Sequence, residues 1–284
     1  MNNSDKLHRD TEKYLNKKEQ KKDGKVIYKI LLCFFLVVFG ISTGIYIGTH
    51  FNKNKAENKY NDMQNEVNNT GEDAEEKETE ATKEPEYPEK NLSFSQLRVE
   101  NEDIYAWIYV PGTQVDYPVL QHSTNDMFYL MHNLDKSYGY PGCIYTEMKN
   151  AKDFSDKNTV LYGHNMEDGS MFRTLHRYED RTFFDENYEL YVYTENCVYI
   201  YEIFAAYNYS NVHLLNGIDI SSDEGFTNYL NDIKGTAGQT GYVRSNVELD
   251  VNDKIITLST CQGNSDMRYL VQGVLKDTVS VNYG

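Results

Sequence analysis

Lys254-Ile-Ile-Thr-Leu-Ser-Thr-Cys261-Gln-Gly-Asn-Ser-Asp266-Met-Arg268-Tyr-Leu-Val-Gln-Gly-Val274 reads as two strands joined by a short loop. A β-branched, apolar run ends at Cys261, residues 262–266 have loop composition, and an aromatic and aliphatic run resumes at Tyr269. The layout puts a thiol at a strand end and returns a guanidinium, Arg268, near it at the start of the next strand. A cationic neighbour raises the thiolate fraction of a cysteine, and a guanidinium fork donates two hydrogen bonds to an oxyanion. Taken locally, the same pattern also fits a buried structural cysteine followed by a surface arginine.

Upstream, similar runs recur at 107–110, 115–120, 142–146, 159–162, 188–193 and 198–207, separated by turn residues such as Pro111-Gly112. Helical patterns are fewer. Leu92, Phe94, Leu97 and Val99 predict one or two amphipathic turns ahead of the first strand, and 126–132 and 170–178 are short candidates, the latter with Ser170 as N-cap. The clearest helix is 222–234. Ser222 caps it, Asp223 and Glu224 suit the positive end of its dipole, Phe226, Tyr229, Leu230 and Ile233 form an apolar stripe, and Gly235 is expected to stop it. Roughly eight strands in under about 200 residues predict one β-barrel-like domain with helical insertions.

A catalytic cysteine needs a base or imidazolium partner from elsewhere in the chain. Of seven histidines, His164 alone directly follows a strand-plus-glycine elbow, in Asn158-Thr-Val-Leu-Tyr-Gly-His164. His8 and His50 flank an apolar run, and His122, His132, His176 and His213 fall in helix or loop contexts. There are four cysteines, Cys33, Cys143, Cys197 and Cys261, with no CxxC pair and no zinc-finger spacing, so no structural metal site is expected. The three cysteines beyond the apolar run cannot all pair with one another. The net charge of −16 argues against a nucleic-acid partner.

Residues 1–25 carry eight Lys or Arg and five Asp or Glu. Residues 30–48 are 19 uncharged, mostly apolar positions, close to a bilayer-spanning helix in length. A cleavable signal peptide would have a shorter apolar stretch and a better cleavage site than Ser42-Thr43-Gly44. The reading is therefore a cytoplasmic tail at 1–25, an anchor at 26–49 oriented by its basic N-terminal flank, and everything beyond it outside the cell. Residues 50–90 are poor in bulky apolar side chains and include an acidic stretch at 72–80, as expected of a flexible, solvated stalk, in which 55–67 has the pattern of a polar helix. The folded domain is expected at 91–284.

Thr257-Leu-Ser-Thr-Cys261 resembles the TLxTC signature of sortases, in the form familiar from class B. Tyr162-Gly-His164-Asn-Met-Glu-Asp-Gly-Ser-Met-Phe172 is similar to the class B histidine segment, and Ala106-Trp-Ile-Tyr-Val-Pro-Gly-Thr113 with Val115-Asp-Tyr-Pro-Val-Leu-Gln121 resembles the start of the class B barrel. The resemblance covers about residues 92–275 and implies an eight-stranded β-barrel preceded by N-terminal helices. It also implies a membrane-anchored cysteine transpeptidase with no metal or organic cofactor. Such an enzyme cleaves a C-terminal sorting pentapeptide of x-P-x-T-x type after Thr, through a thioacyl-enzyme, and passes the protein to an amine of a cell-wall precursor. Carried over, Cys261 is the nucleophile, His164 its acid/base partner and Arg268 the oxyanion and substrate-orienting group. Tyr162, Ser259, Thr260 and Gln262 would line the peptide site. Two departures stand out: the seven-residue interval from Cys261 to Arg268 is shorter than in many class B members, and Gln262 replaces an acid found in some. The absence of an Asp-Pro-aromatic lid motif and of a second apolar span counts against a pilus-polymerising class C enzyme. A non-catalytic tethered binding protein and a hydrolysing cysteine protease are the competing readings.

Overall fold

The computed structural model describes residues 3–69, 87–261 and 266–284. The acidic stretch 72–80 and Gln262 lie outside the described residues. The chain divides into two units, Met1–Asn52 and Lys53–Gly284. Helix α1, Asn3–Asn68, accounts for all the described residues of the first. Within Ile27–Asn68 it contains a window of mean hydropathy 2.5, long and apolar enough to cross a membrane by length and composition.

Among the described residues, the second unit is built on nine strands. In chain order, α2 (Phe94–Glu100) leads into β1 (Ile104–Tyr109), followed by β2 (Asp116–Leu120), β3 (Ile144–Tyr145) and β4 (Asn158–Tyr162). After α3 (Arg181–Glu186) come β5 (Glu189–Tyr193) and β6 (Cys197–Ser210), then α4 (Asp223–Thr240), β7 (Gly241–Val243), β8 (Ile255–Cys261) and β9 (Met267–Ser280). Neighbours run β5-β1-β2-β3-β4-β8-β9-β6, and β6 pairs back to β5, so eight strands close a barrel, with β7 added beside β6. Two pairings are parallel, β2 with β3 and β4 with β8. The second brings together the carboxyl ends of strands nearly a hundred residues apart in sequence.

The long β6, β8 and β9 bury side chains on both faces. Ile203, Ile256, Leu258 and Val271 belong to the main core with Trp107, while Phe204, Ile255, Leu270 and Val274 lie in a second buried cluster with Phe226, Tyr229, Leu230, Ile233 and Ala237 of α4. Strands covered on both sides read as continuous apolar runs rather than strict alternation. That is the character of 198–207 and 254–260.

All eight expected strands are present. The additional β7 is only three residues long, too short for a periodic signal. Ser222 caps α4 as expected, accepting from Gly225 N at 3.0 Å, but Gly235 does not stop the helix. The apolar stripe continues to the buried Ala237, and an added Cβ at Gly235 or Gly238 would meet nothing, so both glycines face open space. The expected helices at 126–132 and 170–178 are 3-10 segments, Phe128–Leu130 and Arg173–Glu179. Ser170 is not the cap of the second; its hydroxyl donates to Asp168 instead, at 2.6 Å.

Within the expected stalk, residues 53–68 are helical and bury Tyr60, Met63 and Val67 in the main core. Tyr60 donates its hydroxyl to the Gly142 carbonyl at 2.8 Å, and Asn68 Nδ2 to Asp116 Oδ2 at 2.8 Å. Asp116 also accepts from Trp107 Nε1 at 2.6 Å and pairs with Lys90, whose side chain is 2% exposed. A buried charge of this kind is retained only with such partners.

Candidate active site

The parallel register of β4 and β8 places Tyr162 opposite Ser259, and Gly163 N donates to Ser259 O at 3.2 Å. Two residues further on, His164 and Cys261 therefore emerge at the same end of the barrel. Gly163 is the elbow. A Cβ there would lie 2.6 Å from Ile144 Cδ1 and 2.7 Å from Phe172 Cδ2, so a larger residue would force those buried side chains to shift as the chain leaves the sheet. On the other side of β8, the antiparallel ladder pairs Cys261 directly with Arg268. Only seven positions separate the two in the sequence.

His164, Cys261 and Arg268 line one cleft of about 280 Å³, together with Tyr162, Ser259 and Thr260. Every described member of the sequence-derived site is thus brought together; Gln262 lies outside the described residues. A wider cavity of about 370 Å³, between residues 59–67 and α2, contains none of these groups.

His164 is half-buried, and its Nε2 lies 2.6 Å from the Leu130 carbonyl. A carbonyl only accepts, so Nε2 carries the ring hydrogen and Nδ1 is left as the proton-exchanging nitrogen. Burial lowers the imidazole pKa below its usual value, opposed by the bond to Leu130. Tyr140 meets the ring edge-on at 5.1 Å. The cysteines differ in kind. Cys143 is buried, its pKa pushed up to about 12 by desolvation, and its Sγ lies 3.2 Å from the Tyr60 hydroxyl oxygen; Cys261 is partly exposed at the cleft. A thiol held neutral by burial is a poor nucleophile.

The sequence reading passed over several residues here. Asn165 donates Nδ2 to the Cys261 carbonyl at 2.7 Å, and His176 Nε2 lies 3.2 Å from the same oxygen. Lining the same cleft, the Glu147 carboxylate, 6% exposed, lies 2.9 Å from His213 Nε2, and the rings of Tyr145 and Tyr162 stack on each other. Asn165 follows His164 directly in the chain, the one local hint available to the sequence; the pairings of His176 and His213 depend on the tertiary fold.

A sortase-domain family model matches residues 108–276. The chain belongs to the sortase family. This sortase is 36% identical over 178 residues to Sortase B of Listeria monocytogenes, a match spanning 62% of this chain and 70% of that one. Among solved structures, Clostridium perfringens sortase B superposes with a TM-score of 0.59 at 32% identity, covering 65% of this chain and 100% of the other. A Staphylococcus aureus sortase B–substrate complex superposes with a TM-score of 0.58 at 28% identity, covering 65% and 84%. This sortase is accordingly a cysteine transpeptidase of the class B type, with the eight-stranded barrel that the sequence resemblance implied.

Proposed function

We propose that this sortase cleaves a C-terminal sorting pentapeptide of x-P-x-T-x type after Thr and transfers the exported protein to an amine of a cell-wall precursor. The observation carrying this reading is the convergence of Cys261, His164 and Arg268 on one cleft through the parallel β4–β8 register and the Cys261–Arg268 pair. His164 Nδ1 takes the Cys261 proton, and the thiolate attacks the Thr carbonyl. Arg268 faces the negative charge that develops on the carbonyl oxygen. Collapse breaks the C–N bond, His164 returns its proton to the leaving amine, and a thioester to Cys261 remains. A lowered pKa makes the His164 imidazolium a stronger acid for that transfer. The acceptor amine then attacks the thioester, loses a proton to His164 and expels the thiolate.

Tyr162, Ser259 and Thr260 would contact the peptide, being the walls of the same cleft. Residues 26–49 would anchor the enzyme, with 1–25 cytoplasmic, 50–90 linking the anchor to the extracellular catalytic domain 91–284, and 53–68 of that linker packed into the domain's core. The apolar window and the basic residues ahead of it support that topology.

The test is cleavage of an x-Pro-x-Thr-x peptide library with and without an added primary amine. We expect an amine adduct, no reaction by Cys261→Ala, and most activity in Cys143→Ala and Cys197→Ala. Cleavage by Cys261→Ala would remove the nucleophile assignment. Hydrolysis indifferent to amine would make the enzyme a protease.

A further inference from the structure

In a parallel ladder, alternate carbonyls of one strand accept from alternate N–H groups of its neighbour. Along β8 the Ser259 carbonyl accepts from Gly163 N; the next carbonyl facing β4 is that of Cys261, and its partner in a continued strand would be the N–H of residue 165. The chain has left the sheet by then. The Asn165 side-chain amide takes the vacant place, donating Nδ2 to the Cys261 carbonyl at 2.7 Å. Its other polar contacts are equally defined. Arg173 Nη1 donates to Asn165 Oδ1 at 3.0 Å, and Nδ2 lies 3.1 Å from His176 Nε2. His176 Nδ1 lies 2.8 Å from Glu179 Oε1, and its Nε2 sits beside both the Asn165 amide and the Cys261 carbonyl, 3.2 Å from the latter. The His176 ring stacks on Tyr269, the neighbour of Arg268, with centroids 4.7 Å apart. The hairpin carrying His164 and Asn165 is closed by Phe172 N donating to His164 O at 2.9 Å.

We propose that Asn165, oriented by His176 and Arg173, is a positioning residue that holds the backbone carbonyl of Cys261 and so fixes the nucleophile relative to His164. The inference rests on Cys261 being the nucleophile. One short side chain ties the segment bearing the acid/base to the strand bearing the thiol. Because a peptide group is planar, seizing the carbonyl also sets the plane of the peptide that follows the nucleophile. Misplacement of reacting groups by an ångström costs on the order of a hundredfold in rate, so a lost tether is felt in the chemical step.

The experiment measures kcat and KM on a quenched fluorescent pentapeptide, the x-Pro-x-Thr-x sequence that the wild-type enzyme cleaves fastest. Asn165→Ala is expected to lower kcat by about tenfold or more with KM nearly unchanged, the split expected when an interaction with the enzyme's own nucleophile is lost. Asn165→Asp keeps the volume and the Arg173 contact but turns an acceptor toward the Cys261 carbonyl, and should lose at least as much. It also carries the test should Asn165→Ala fold poorly. His176→Phe keeps the stack on Tyr269 without ring nitrogens and should fall several-fold in kcat. His176→Gln, which restores a polar group able to bond Asn165 or the Cys261 carbonyl, should recover most of that loss. A merely structural role would show in melting temperature, without the kcat split or the recovery by Gln. Unchanged kcat in Asn165→Asp, or a loss confined to KM, overturns the proposal. Cys261→Ala is the control: were it active, the nucleophile reading itself would fail, whereas an inactive Cys261→Ala beside a fully active Asn165→Asp removes only the positioning role.

Discussion

Among the described residues, His164 is surrounded by groups that accept or cover, rather than by a carboxylate: the Leu130 carbonyl at Nε2, the Tyr140 ring edge, and Gly142, whose added Cβ would lie 3.4 Å from His164 Cδ2. Desolvation therefore dominates, and the ring pKa falls below 6.5. In the unfolded chain His164 protonates first as pH drops. The folded state then holds fewer protons than the unfolded one, so its stability declines from about pH 6.5 down to the folded midpoint and levels off below it. NMR titration of the ring should give a midpoint under 6.5, and His164→Gln should flatten that part of the stability profile. A midpoint above 6.5 would mean that a charged neighbour outweighs burial. The same contrast of environments sets apart the thiols. A charged methanethiosulfonate reagent at neutral pH should modify Cys261 in the native enzyme and leave Cys143 untouched until unfolding, as judged by peptide mass mapping.

Beneath α4, a buried set of polar side chains crosses from strand to strand to helix. Thr257 donates to Asn158 Oδ1 at 2.8 Å, Gln272 Nε2 donates to Thr257 Oγ1 at 2.8 Å and to Tyr229 OH at 3.0 Å, and Tyr207 OH donates to Gln272 Oε1 at 3.0 Å. Gln272 is fully buried and central. Gln272→Leu strands the Tyr207 hydroxyl and should lower stability by about 2 kcal/mol in urea unfolding. Adding Tyr207→Phe should return part of that loss, because removing both partners is cheaper than orphaning one. An additive double variant would show that the bond itself contributes little. These elements also mark what a sequence can and cannot reveal. The strands were legible because β-branched and aromatic runs alternate with turn residues, and the Cys261–Arg268 juxtaposition because a short loop leaves few other outcomes. The extension of α4 past Gly235 was not, since it depends on Ala237 finding cover against the sheet. Asn165 was hidden for a similar reason. Its partner carbonyl is 96 residues away, and only the parallel pairing of β4 with β8 makes them neighbours.

For the folded unit as a whole, composition misleads most over residues 53–68. Polar residues outnumber apolar ones there, yet Tyr60, Met63 and Val67, spaced three and four apart, are each no more than 5% exposed. Three residues on one helical face suffice to dock it. The polar remainder contributes directed bonds: Gln64 Nε2 to the Asp116 carbonyl at 2.7 Å, Asn68 to the Asp116 carboxylate, and Lys53 to Asp168 at 2.5 Å. Lys90, whose pKa burial lowers despite its Asp116 partner, also donates to Asn68 Oδ1 at 2.6 Å. A fragment beginning at residue 91 would lose the buried face, the Asn68 bond and Lys90 together, leaving Asp116 with Trp107 as its remaining side-chain donor. The fragment 53–284 should therefore exceed 91–284 in stability by about 3 kcal/mol or more, the burial of two to three apolar side chains less the cost of ordering them. Tyr60→Ala within 53–284 should reproduce part of that loss. Its effect should reach the site, because Tyr60 holds the Gly142 carbonyl and Gly142 lies against His164. Equal urea midpoints for the two fragments would mean that the helix rests on the barrel without stabilising it. A stability loss in Tyr60→Ala with kcat unchanged would limit its role to support of the fold.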